Sequence, residues 1–129
     1  MRVLVCGGRD YNDHDAVFGF LDNFCVDNGL RYECDEYGNW LPKDIVIIHG
    51  ACPTGADSLA DQWAVVNWVQ FVEFRADWKT YGNKAGPIRN QRMIDEGKPD
   101  IVIGFPGGRG TADMLRRARA ANIKVVEPK

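Results

Sequence analysis

The sequence has 129 residues, 45% hydrophobic and 26% charged, with 18 acidic and 16 basic side chains for a formal net charge of -2. Such a length and composition predict one globular domain (residues 1–129) and exclude a disordered chain. The charge supplies no general attraction for nucleic acid or an anionic membrane, and no apolar run reaches the roughly 18 residues of a membrane span.

Residues 2–6 (RVLVC) are a short β-branched apolar run ended by Gly7 and Gly8, as a buried strand entering a tight turn would be. This strand follows Met1 directly, so no signal peptide is expected and the expected location is the cytoplasm. Asn12 or Asp13 can cap a first helix in which Val17, Phe18, Leu21, Phe24 and Cys25 recur at helical spacing, with Gly29 at its end. Residues 31–44 mix strand formers with a Tyr37-Gly38-Asn39 turn signal and read as a peripheral insertion, either a small hairpin or an ordered loop.

Residues 45–48 (IVII) predict a second buried strand, followed by a helix from Gly55 to Val69 that turns Leu59, Trp63 and Val66 inward. A third strand is expected at residues 70–75. The loop with Asp77, Trp78, Gly82 and Gly86-Pro87 leads to a helix over 88–96, stopped by Gly97 and Pro99. Residues 101–104 (IVIG) form a fourth strand, residues 111–121 a helix and residues 123–126 a fifth strand. Alternating strands and helices, with strands apolar on both faces, predict an α/β Rossmann-like three-layer sandwich with a mainly parallel sheet of about five strands.

In such sheets the ligand crevice lies beyond the carboxyl ends of the strands. Three of those ends are glycine-rich: Gly7-Gly8-Arg9-Asp10, the stretch from Gly50 to Asp57, and Pro106-Gly107-Gly108-Arg109-Gly110-Thr111. Glycine lets backbone N–H groups approach a phosphate, and a following helix N-terminus adds partial positive charge. A tight turn would account for one such loop; three together point to anion binding. None fits GxGxxG or the P-loop, which disfavours the ordinary dinucleotide site and a magnesium-dependent nucleoside triphosphatase.

Arg9, Arg89 and Arg109 fall in or beside these loops, where a guanidinium can grip phosphate in a bidentate fork. Trp78 and Tyr11 lie at the same edge and can stack on a base or act as structural plugs. Asp57 and Asp10 can hold ribose hydroxyls or order their own turns. Cys6, Cys25, Cys34 and Cys52 form no CxxC pair and read as free thiols. His14 and His49 stand far apart in sequence, so neither a metal nor a cofactor is expected.

GGRDY at 7–11, HGACPTGAD at 49–57, ADW at 76–78, AGPIRNQRM at 85–93 and FPGGRGTADM at 105–114 together resemble the small YspA-type branch of the SLOG superfamily. The resemblance spans nearly the whole chain except the 31–44 insertion. It implies a Rossmann-like fold shared with the LONELY GUY phosphoribohydrolases, also described as lysine decarboxylase-like proteins, and with the core of the DNA-processing protein DprA. It also implies a nucleotide or nucleotide-derived ligand, since superfamily members sense NAD-derived or other signalling nucleotides or cleave the N-glycosidic bond of nucleoside 5'-monophosphates.

The phosphoribohydrolase pattern PGGxGTxxE falls on Pro106 to Met114, and RKxxM on Arg89, Asn90 and Met93. Its final acidic residue is replaced by Met114. Asp113 is adjacent, but one helical step turns a side chain by roughly 100°. The resemblance and the loops together predict a binding or sensing domain for a phosphorylated nucleotide. The expected ligand-binding residues are Gly7, Gly8 and Arg9; Gly50, Thr54, Gly55, Ala56 and Asp57; Asp77, Trp78, Gly86, Pro87, Arg89 and Asn90; and Pro106, Gly107, Gly108, Arg109, Gly110 and Thr111.

A nucleotide N-glycosidase is the alternative, with Arg89 as electrostatic stabiliser and Asp113, Asp10 or Asp77 as acid or base. A DprA-like nucleic-acid binder would need Arg109, Arg116, Arg117 and Arg119 as a basic patch. Related SLOG proteins also imply that a homodimer can form.

Overall fold

The computed structural model describes residues 1–128. Five strands form one parallel sheet: β1 (Arg2–Cys6), β4 (Val46–His49), β5 (Gln70–Glu73), β6 (Ile101–Gly104) and β7 (Lys124–Val126), in the order β5-β4-β1-β6-β7. β1 is central, with Leu4 in register with Ile48 on one side and Val102 on the other. Alternate residues of these strands face opposite ways. Val3, Val5, Ile47, Ile101 and Ile103 pack beneath α1 (His14–Asp27) and α2 (Gly55–Val66). Leu4, Cys6, Ile48 and Val102 pack beneath α4 (Ala85–Asp95) and α5 (Arg109–Ala120). Both faces of the sheet are therefore covered, which explains why its strands are apolar runs instead of alternating ones.

The residues 31–44 form a hairpin of β2 (Tyr32–Cys34) and β3 (Trp40–Pro42), paired antiparallel. The Asp35 carboxylate accepts from the N–H groups of Tyr37 and Asn39 at 2.9 and 2.8 Å, and Gly38 supplies the positive φ of the turn. Asp13 is the cap of α1, accepting from the Ala16 N–H at 3.0 Å. Trp63 on α2 is fully buried, and its indole N–H donates to Asp22 on α1 at 2.9 Å. Replacing it with alanine would cost about 3–5 kcal/mol, enough to threaten the fold.

Several element bounds differ from those expected of the sequence: the third strand ends at Glu73 and the last helix runs from Arg109 to Ala120. The second helix stops at Val66, three residues early, because Asn67 caps it and Trp68 turns into the left-handed region. The stretch expected to be a loop at 77–84 contains a short helix, α3 (Trp78–Tyr81), and a 3-10 turn, Gly82–Lys84. These pieces run into α4, which begins three residues before Ile88. Of the chain connections, β1 leads to β4 on one side while β5 crosses back to β6 on the other. This reversal of direction at β1 opens a crevice at the carboxyl ends of the strands.

Candidate functional site

The crevice has a volume of about 1320 Å³ and is walled by the segments after β1, β4, β5 and β6 together with α4. It gathers most of the predicted residues: Gly7, Gly8, Arg9, Gly50, Thr54, Asp57, Trp78, Gly86, Pro87, Arg89, Asn90, Gly108, Arg109, Gly110, Thr111 and Asp113. Five arginines line it, the three expected ones plus Arg75 and Arg116. Arg75 escapes a sequence reading because it follows an edge strand, and Arg116 because its helical position reads as a solvated face. Cys52, Ala51 and Met93 also line the walls.

The glycines divide into two kinds. Those of the first kind let the loops interlock. A side chain on Gly7 would come within 2.6 Å of the Ala56 Cβ, and one on Gly55 would strike the Gly8 carbonyl. One on Gly107 would strike Thr111 Oγ1 and come within 2.6 Å of the Gly8 nitrogen. The Gly8 N–H is itself spent on the Pro106 carbonyl at 2.9 Å, and the Ala56 N–H points at the Gly8 carbonyl at 3.4 Å. Gly55, Ala56, Pro106 and Gly107 thus join the loops to one another and stand outside the crevice lining.

Gly108 and Gly110 are of the second kind: a Cβ added at either would meet no atom within 4 Å. Gly108 is the N-cap of α5 and offers no side chain, so the first-turn N–H groups open onto the crevice without an internal cap. By contrast, α1 and α3 are capped by Asp13 and Asp77. The Asp77 carboxylate accepts from Thr80 N–H at 3.1 Å, and Asp77 stands outside the crevice lining. Thr111, only 9% exposed, lines the crevice in the same first turn of α5.

The other loop is different. Asp57, in the first turn of α2, is 8% exposed and accepts from the Gly50 N–H at 3.1 Å. The Asp57 carboxylate thus binds the loop's own backbone and adds negative charge to the first turn of α2. Burial pushes the Asp57 carboxyl above its ordinary range, against the neighbouring His49 and Arg89 and the N–H groups of Cys52 and Gly50. His49 braces the same loop from behind: its Nδ1 accepts from the Ala51 N–H at 3.0 Å. Nε2 then carries the proton and donates to Asp61 at 2.8 Å, so His49 ties the loop to α2, while the nearby Glu73 pairs with Arg75.

Arg89 closes the space between the two loops. Its Nη1 donates to the Gly50 carbonyl at 2.6 Å and its Nε to Asn90 at 3.0 Å. Burial lowers its proton affinity, opposed chiefly by Asp57. Neither of these bonds uses Nη2, which leaves donor capacity for a ligand. At the mouth, Arg9 lies over the Trp78 ring at 5.7 Å, so one face of that indole is already occupied by a guanidinium.

Asp113 is bound to Arg116, to Arg117 at 2.8 Å and to Asn90 at 3.0 Å. Partial burial would raise its carboxyl, but the bonds from Arg117 and Asn90 and the charges of Arg117 and Arg116 outweigh this and hold it below the usual range. Such a group is a poor proton carrier near neutrality. Met114 is 1% exposed and packs with Leu4, Cys6 and Met93.

Against this geometry, the sequence pattern of the YspA, cpYpsA-related SLOG family matches residues 1–81. The chain belongs to that family. It is also 35% identical to the "Gene 61 protein" of Mycobacterium phage D29 over 135 aligned positions, covering 97% of this chain and 94% of that protein. The SLOG match ends at Tyr81, so it takes in the loops after β1 and β4 and Trp78, while Arg89 and the PGGRGT loop lie beyond it.

Proposed function

We propose that this SLOG protein binds a phosphorylated nucleotide without cleaving it. The observation that carries the reading is the uncapped first turn of α5, which opens beside Arg89 onto a crevice lined by five arginines. The phosphate rests on the N–H groups at Gly108–Thr111, where the helix terminus and an adjacent guanidinium both favour an anion. The Asp57 carboxylate keeps a second phosphate from the α2 terminus. The nucleoside extends toward Arg9 and Trp78.

The buried thioether at Met114 and the ion-paired carboxylate at Asp113 argue against N-glycosidase chemistry at this helix. Three of the four arginines of α5 argue against a nucleic-acid surface as well, since Arg116 and Arg117 pair with Asp113 and Arg119 pairs with Glu127. Calorimetric titration of adenosine 5'-monophosphate into the parent protein and into Arg89→Ala tests the binding reading. The variant should lose about tenfold or more in affinity, the scale of a charged hydrogen bond; equal affinities would move the phosphate away from Arg89.

A further inference from the structure

Asn90 is 4% exposed on α4, and its amide is committed on both sides. Oδ1 accepts from Arg89 Nε at 3.0 Å, while Nδ2 donates to Asp113 at 3.0 Å and to the Gly110 carbonyl at 3.3 Å. A flipped amide would set NH₂ against the Arg89 N–H and an oxygen against a carboxylate and a carbonyl, so one orientation alone satisfies all partners. Asp113 is held in turn by Arg116 and Arg117. At the far end Arg89 reaches the Gly50 carbonyl. One hydrogen-bonded chain therefore runs from α5, through α4, to the loop after β4.

We propose that Asn90, anchored by Asp113, is a positioning residue that fixes the Arg89 guanidinium between the two loops without setting a carboxylate against its Nε. A carboxylate at position 90 could also hold Arg89, but it would cancel the positive charge and repel an incoming phosphate. The amide avoids that cost, and the carboxylate that orients it stands one residue further away. Fixing a long arginine side chain before the ligand arrives moves its ordering entropy from binding to folding. Asn90 has no spare donor for a ligand, which replaces its expected role as a direct contact. The consequence for affinity rests on the phosphate-binding reading above; the fixing of Arg89 does not.

The test uses the Arg89 Nε–H resonance in ¹⁵N-labelled, ligand-free protein, assigned by its loss in Arg89→Lys. In Asn90→Ala this proton should exchange with solvent about tenfold faster or more, the effect of losing one hydrogen bond to a charged group, while core amides keep their protection. Parent-like exchange at Arg89 in the folded variant would overturn the proposal. Should Asn90→Ala fail to fold, Asp113→Asn decides: faster exchange at Arg89 supports the anchoring role, and unchanged exchange overturns it. Titration of adenosine 5'-monophosphate into the same proteins should show weaker binding wherever Arg89 is released. A parent that binds no nucleotide would remove the functional reading and leave the exchange comparison to decide the positioning.

Discussion

The Asp57 carboxylate and the Gly50 N–H, 3.1 Å apart, close the loop after β4 on itself and set a negative charge in the first turn of α2. Asp57→Ala should therefore destabilise the protein by about 1–3 kcal/mol, the cost of stranding a buried donor. Asp57→Asn keeps an acceptor for Gly50. Because burial raises the native carboxyl, the folded chain holds this proton more tightly than the unfolded chain, and its ionisation subtracts stability as pH rises through the native value. Asn at this position should thus match or exceed the parent in urea unfolding at pH 7 and lose that advantage below the ordinary carboxylate range. A loss as large as that of the alanine variant would refute the assignment.

Gly107 and Gly108 should respond in opposite ways to a side chain. Gly107→Ala meets Thr111 Oγ1 and the Gly8 nitrogen, so it should lower the melting temperature, with a cost of about 1–3 kcal/mol for overpacking. Gly108→Val projects into open crevice space and has no positive φ to strain, so it should stay folded and lose nucleotide binding. A folded Gly108→Val that binds as tightly as the parent would show that the phosphate sits elsewhere.

The thiols give a pH-dependent check on the core. Burial pushes Cys6 up to about 12 and Cys25 to about 11, with nearby acidic groups adding to both. Between the unfolded value of 9.0 and these native values the folded state binds more protons, so stability falls as pH rises. Each thiol contributes a slope of about 1.4 kcal/mol per pH unit in that window. Urea midpoints should drop as pH rises from 9.0 to about 11, the window shared by both thiols, and should drop less in Cys25→Ala. At pH 8 a small alkylating reagent should modify exposed Cys34 and half-exposed Cys52 in the native protein and spare the buried pair.

The centre of the sheet is legible in the sequence because RVLVC, IVII and IVIG are short apolar runs that admit few other readings, whereas the edge strands QFVE and KVV carry charged ends. The hairpin stays open between two forms, since its closure depends on Asp35 reaching Asn39, a local side-chain choice. Glycine content locates the crevice but does not separate Gly107 from Gly108: one abuts another loop and the other faces open space, which only the fold reveals. Asp77 reads as a ligand residue because its motif, ADW, sits at the right edge, while its capping of a four-residue helix shows only in the fold. The pairing of Asp113 with Arg116 and Arg117 is within reach of helical spacing at i+3 and i+4. Its link to Asn90 spans two helices and is not.

Binding without cleavage is decided by a thermal-shift comparison of adenosine 5'-monophosphate with adenosine, read alongside chromatography for free adenine. The nucleotide should raise the melting temperature, with ligand linkage adding about 2.7 kcal/mol at 100 times its dissociation constant, while the nucleoside leaves it unchanged and no adenine appears. Neither compound shifting the melt, nor any other nucleotide of a broad panel, would contradict the binding claim. Release of adenine at an enzymatic rate, abolished by Asp113→Asn, would contradict the claim that the ligand is held without cleavage.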